Sequence, residues 1–111
     1  MWLFTTQGFY SVVEDRGDDN RVLVRARAAE DLEALRRQIP DLQIQETPKA
    51  DYPWRAFVTR DQWCEAVARL AGAIDYDNFK NSVASRQGHD RADLYLGVWE
   101  QLQELQERGG R

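Results

Sequence analysis

The stretch "RVLVRARA", residues 21–28, decides how this chain folds. Val22, Val24, Ala26 and Ala28 share one parity, while Leu23, Arg25 and Arg27 share the other. That is the alternation of a strand with one buried and one wet face. From Ala29 the period changes. Leu32, Leu35 and Ile39 recur at helical spacing, with Glu30, Asp31 and Glu33 leading and Arg36 and Arg37 trailing, as the helix dipole favours. Pro40 is expected to end that helix.

Upstream, "EDRGDDN" (residues 14–20) supplies turn residues and carboxylates, so the chain reverses in solvent and a hairpin results. Its other arm is the aromatic and β-branched segment from Trp2 to Val13, in which Trp2, Phe4 and Thr6 alternate with Leu3 and Thr5. Gly8 marks a bulge or a tight turn, after which Phe9, Ser11 and Val13 restart the alternation.

Downstream, "LQIQET" (residues 42–47) returns to period two with Leu42 and Ile44 inward. The loop "PKADYP" follows, then a strand, "WRAFVTR", with Trp54, Ala56 and Val58 on one face and Arg55, Phe57 and Thr59 on the other. Tyr52–Pro53 is a candidate for the cis form. Thr59 and Gln62 have the spacing of a capping box, and Trp63, Ala66, Val67, Leu70 and Ile74 draw an apolar stripe along the helix it opens. Tyr76, Phe79 and Val83 indicate a short helix to about residue 86, broken by "RQGHD". Asp90 then resembles an N-cap, and Leu94, Tyr95, Val98, Trp99, Leu102 and Leu105 stripe a final helix.

These periods predict an α+β fold: a four-stranded, largely antiparallel sheet in the order ββαββ, helices on one face, and two to three C-terminal helices. Residues 1–107 read as a single domain and 108–111 as a flexible tail.

The chain has 111 residues, 42% of them hydrophobic, enough for one compact core. Its one cysteine, Cys64, precludes an intramolecular disulfide and suits a reducing compartment, so the cytoplasm is expected. No apolar run reaches the roughly 18 residues of a membrane span, and "MWLFTTQGFY" lacks the basic region and cleavage site of a signal peptide. With 15 basic against 19 acidic residues, the net charge of −4 offers no general attraction to nucleic acid or anionic lipid.

Three stretches could carry chemistry. In "IDYDNFK" (residues 74–80), Asp75 and Asp77 could act as an acid/base or cation-binding pair, with Lys80 as electrophilic partner and Tyr76 as proton donor. The same residues equally suit a helix junction, Asp75 capping the next helix while Tyr76 and Phe79 pack. In "ADYPWRA" (residues 50–56), Tyr52 and Pro53 stiffen a loop leading to Arg55, which reads as a binding loop or as a rigid approach to the strand. The third is the wet sheet face, where Leu3, Leu23, Arg25, Arg27, Arg55 and Phe57 are expected together. Arginine among aromatics on a sheet is the layout of single-stranded RNA binders, but the acidic total disfavours it, and the face reads as solvated or as a subunit contact. Cys64 and His89 stand without companions, so no metal site and no cofactor are expected, and no glycine-rich phosphate loop occurs.

Taken together, "WLFTTQGFYSVV", "LVRARA", "ADYPWRA", "IDYDNFK" and "YLGVW" form a set that resembles a group of small, uncharacterised bacterial proteins over residues 1–102. The resemblance implies a bacterial or phage origin and carries no catalytic assignment.

The leading functional expectation is a non-enzymatic cytoplasmic interaction domain with a protein partner, a second copy of the chain being one candidate. A second is an inhibitor whose carboxylates (Glu14, Asp15, Asp18, Asp19; Glu100, Glu104, Glu107) imitate a phosphate backbone. A third is a divalent-cation-dependent hydrolase built on Asp75, Asp77 and Lys80.

Overall fold

A computed structural model describes residues 1–109 of the chain. It falls into two compact units, Met1–Asp75 and Tyr76–Arg111.

The first unit is α+β. Its elements are β1 (Trp2–Phe4), β2 (Phe9–Asp15), β3 (Asp18–Ala26), α1 (Ala29–Leu35), β4 (Gln45–Glu46), β5 (Trp54–Thr59) and α2 (Arg60–Gly72). The sheet runs β1-β2-β3-β5-β4 with every neighbouring pair antiparallel. It therefore has five strands rather than the expected four. The difference arises at Gly8, which belongs to a tight turn that splits the opening segment into two strands. Thr5 closes that turn: its backbone N–H and its hydroxyl both donate to the Gly8 carbonyl, at 2.9 and 2.8 Å. The "LQIQET" segment pairs only through Gln45 and Glu46, because Leu42 and Ile44 are drawn into the core before the strand begins.

One face of the sheet is apolar. Tyr10, Val12, Val22, Val24, Ala26, Ala56 and Val58 pack there against Leu32 and Leu35 of α1, Ile39, Leu42, and Trp63 and Ala66 of α2. Burial of this face is the main favourable term for the unit. Leu3 packs against the same core, since it pairs across the hairpin with Tyr10. Its expected place on the wet face is thereby corrected. Helix α1 stops at Leu35, well before Pro40, because the chain tightens into a turn in which the backbone N–H groups of Gln38 and Ile39 both donate to the Leu35 carbonyl. The capping box at α2 is present: the Thr59 hydroxyl accepts from Gln62 N, and the Gln62 side chain accepts from Thr59 N. Ile74 lies beyond the helix and is 58% exposed, so it does not extend the α2 stripe. The Tyr52–Pro53 bond is trans.

The second unit holds α3 (Phe79–Gln87), α4 (His89–Leu102) and α5 (Glu104–Gly109). Val83 and Ala92 are buried, and Phe79 stacks on Tyr95 with centroids 6.0 Å apart and planes 9° apart. The α3 cap is Asn78, whose side chain accepts from Asn81 N at 2.9 Å. Asp75 does not fill that role. Gly88, at φ 98°, turns the chain into α4 in a conformation that favours glycine, and the expected Asp90 cap is displaced by this glycine corner. Of the apolar residues expected to bury α4, Leu94 and Trp99 are exposed, as are Leu102 and Leu105. Helix α5 takes in residues 108 and 109 of the expected tail, and residues 110 and 111 lie outside the described residues. Among the described residues, no helix is long and apolar enough to cross a membrane.

Candidate functional site

The face of the sheet opposite the core is a grid of rings and guanidiniums, fixed by the pairing register. One row crosses all five strands: Trp2 opposite Ser11, Ser11 opposite Arg25, Arg25 opposite Arg55, and Arg55 opposite Gln45. A second row sets Val13, Leu23 and Phe57 side by side. Phe4 faces Phe9 at the hairpin end, where the two rings stack at 4.5 Å and Trp2 meets Phe9 edge-on at 5.9 Å. Alternation along β3 and β5 dictates this arrangement. With Val22, Val24, Ala56 and Val58 committed to the core, the residues between them must face away.

Tyr52 joins the grid from the loop before β5. Its ring is buried at 5% exposure, with the Arg27 guanidinium 4.4 Å and the Arg25 guanidinium 4.7 Å from its centroid. Cation–π contacts of this kind are each worth about 0.5–2 kcal/mol, more as water is excluded. The loop is stitched down by its backbone. Arg27 donates to the Asp51 carbonyl at 2.9 Å, Arg55 donates to the Tyr52 carbonyl at 3.0 Å, and the Asp51 carboxylate accepts from Tyr52 N at 2.9 Å. Arg25 reaches the other way and donates to the Ser11 hydroxyl at 2.8 Å.

The electrostatics divide this face in two. Arg21, over the Phe57 ring at 4.8 Å, is neutralised by Asp15, which accepts from both its Nε and Nη2 at 3.0 and 2.7 Å. Arg25, Arg27 and Arg55 carry less compensation. Among the described residues each makes one hydrogen bond, to a hydroxyl or a backbone carbonyl, and Asp51 forms a looser ion pair with Arg55 at 3.7 Å. A guanidinium offers five N–H donors, so most of this cluster's donor capacity is open. The buried Nε of Arg25 has no partner among the described residues.

Five of the sequence-derived candidates thus come together: Tyr52, Arg25, Arg27 and Arg55 as one cluster, with Phe57 beside them. Trp2, Phe4, Phe9 and Ser11 were not among them. Their parity with one another was visible, but the hairpin that sets Trp2 opposite Ser11 depends on where the Gly8 turn closes.

The remaining candidates lie at the boundary of the two units. Asp75 closes the first unit, while Tyr76, Asp77 and Lys80 belong to the second. There Tyr76 packs on Phe79 at 5.9 Å, and Asp77 and Lys80 border a solvent-open groove of about 420 Å³ floored by Phe79, Tyr95 and Trp99. Among the described residues, no group of three or more His, Cys, Asp or Glu side chains is placed to hold a metal ion. The acidic hairpin turn is largely self-satisfied: Asp15 and Asp18 face Arg21, and Glu14 lies 3.6 Å from Arg60. The Arg21 and Gly17 contacts hold the Asp15 carboxyl below the usual carboxylate range, the Gly17 N–H contributing most.

No family model, no curated protein and no solved structure matches the chain.

Proposed function

We propose that the chain is a non-enzymatic protein-interaction domain whose binding surface is the outward face of the sheet in its first unit. The observation that carries this reading is the cluster of Arg25, Arg27 and Arg55 around Tyr52, three guanidiniums bonded to neutral acceptors with Asp51 as the ion-pair partner of Arg55. Beside it on the same face, Trp2 is 67% exposed, and Val13 and Phe57 are exposed as well. Aromatic and arginine side chains are the residue types that dominate binding energy at protein interfaces.

The other readings draw less support. The mimicry reading draws on two groups of carboxylates, and in the hairpin group Glu14, Asp15 and Asp18 already pair with Arg21 or Arg60. The hydrolase reading needs a set of carboxylates around a divalent cation, and among the described residues no group of three or more His, Cys, Asp or Glu is placed to hold one. A cytoplasmic setting suits the exposed free thiol of Cys64.

The test is affinity capture from native host extract, followed by reconstitution from purified components. The wild-type chain should retain a protein that rebinds when purified, and Phe57→Glu should weaken that binding about tenfold or more while the fold is kept. Equal affinity of the variant for the same protein would remove the sheet face from the account.

A further inference from the structure

Resting on the interaction reading, we propose that the Arg25–Arg27–Arg55 cluster is a receptor for the carboxylates of an acidic, extended segment of the partner protein, with Trp2 gripping an apolar residue of the same segment.

Charge complementarity is the first argument. On a chain of net charge −4, three guanidiniums are gathered at one loop, and the nearest acid, Asp51, is 3.7 Å from Arg55 with its side chain 70% exposed. The fold uses part of each side chain, a face stacked on Tyr52 for Arg25 and Arg27 and one N–H each to the protein, which leaves further N–H groups of the exposed Arg27 to face solvent. Planar guanidiniums with open N–H pairs match carboxylates bidentately.

Ring availability is the second argument, and it separates an acidic peptide from single-stranded nucleic acid. Stacking of successive bases needs free ring faces. Tyr52 is buried beneath two guanidiniums, Phe57 lies under Arg21, and Phe4 and Phe9 stack on each other. Trp2, edge-on to Phe9, is the most exposed of these rings at 67%, and one open ring suits a single apolar side chain better than a run of stacked bases.

Spacing sets the register. Adjacent strands lie about 4.8 Å apart, so along the row Trp2–Ser11–Arg25–Arg55 the tryptophan stands about 10 Å from Arg25, with Arg55 one strand further. An extended peptide advances about 3.3 Å per residue, which places its apolar residue about three positions from its acidic pair.

The probe is a fluorescein-labelled peptide with a leucine three positions before a run of glutamates, compared by anisotropy with its glutamine counterpart and with an oligouridylate of equal length. The wild-type chain should bind the acidic peptide about tenfold more tightly than the glutamine one, and raising salt from about 50 to about 300 mM should weaken it severalfold. Arg27→Gln, at an exposed position, should reduce binding about tenfold with unchanged circular dichroism, and Trp2→Ala should reduce it for the glutamine peptide too. Preference for the oligouridylate, or equal binding of the acidic and glutamine peptides, would overturn the proposal. If the peptide fails while Phe57→Glu still abolishes capture of the partner, the carboxylate receptor falls and the interaction surface stands. If neither has an effect, both fall.

Discussion

Gly8 lies so close to Asp31 that a Cβ added to it would stand 2.8 Å from both the Cβ and the Cγ of that aspartate. Asp31 is buried, and its Oδ2 accepts from Phe9 N at 2.9 Å while its carbonyl accepts from the Tyr10 hydroxyl at 2.7 Å. The β1–β2 turn is thus bolted to the first turn of α1, and this holds β1, with Trp2, at the edge of the outward face.

Gly8→Ala should destabilise the protein by about 1–3 kcal/mol, because the new methyl meets a buried carboxylate that is already hydrogen-bonded. Asp31→Ala should cost about as much by orphaning Phe9 N, with Asp31→Asn milder because one acceptor oxygen is kept. Urea denaturation of the three variants checks this, and a neutral Gly8→Ala would contradict the close approach.

This bolt also marks where the sequence stopped being legible. Strand β3, the period change at Ala29, the Thr59–Gln62 capping box and the parity of β5 were all readable, since each is a local pattern enforced by burial of one face. Asp31 read as a first-turn acid complementing the helix dipole. Its bond to Phe9 is long-range and leaves no spacing signal. Likewise Leu3 was assigned to the wrong face because hairpin register depends on the Gly8 turn, and the α4 stripe showed an apolar side without showing whether anything covers it. The arginines of the outward face were legible as a set, but their grouping around Tyr52 required the loop's path.

Two tryptophans at helix positions should behave oppositely. Trp63, 6% exposed in the core, should cost about 3–5 kcal/mol when replaced by alanine. Trp99, 60% exposed, should cost about 0.5 kcal/mol. Thermal melts of the pair decide it, and a large loss at Trp99 would show that its side chain is covered.

Asn78→Ala should destabilise α3 by about 1 kcal/mol through loss of its bond to Asn81 N, and should lower the protection of the first α3 amides more than Asp75→Ala does, since the cap is Asn78. Hydrogen exchange across residues 79–87 reads both, and the reverse ranking would restore Asp75 as the cap.

Asp15 gives a pH prediction. Its carboxyl is held below the ordinary value by the Gly17 N–H and by Arg21, so its folded pKa is depressed relative to the unfolded chain. Its contribution to stability is therefore fully present above the ordinary carboxylate pKa and is lost as pH falls through the depressed value. Arg21→Gln should move the carboxyl part of the way back up, since the larger Gly17 contribution remains. Carboxyl-detected NMR titration measures this, and an unshifted Asp15 in the wild-type chain would refute it.

The most direct test of the interaction surface is site-specific photo-crosslinking in the native host, with the crosslinker placed singly at Phe57 on the outward sheet face and at Ala68 on the exposed side of α2. The account predicts a discrete protein adduct from position 57 that disappears when Arg27→Glu is added, and no such adduct from position 68. The same adduct from both positions, or one at 57 that persists with Arg27→Glu, would contradict it.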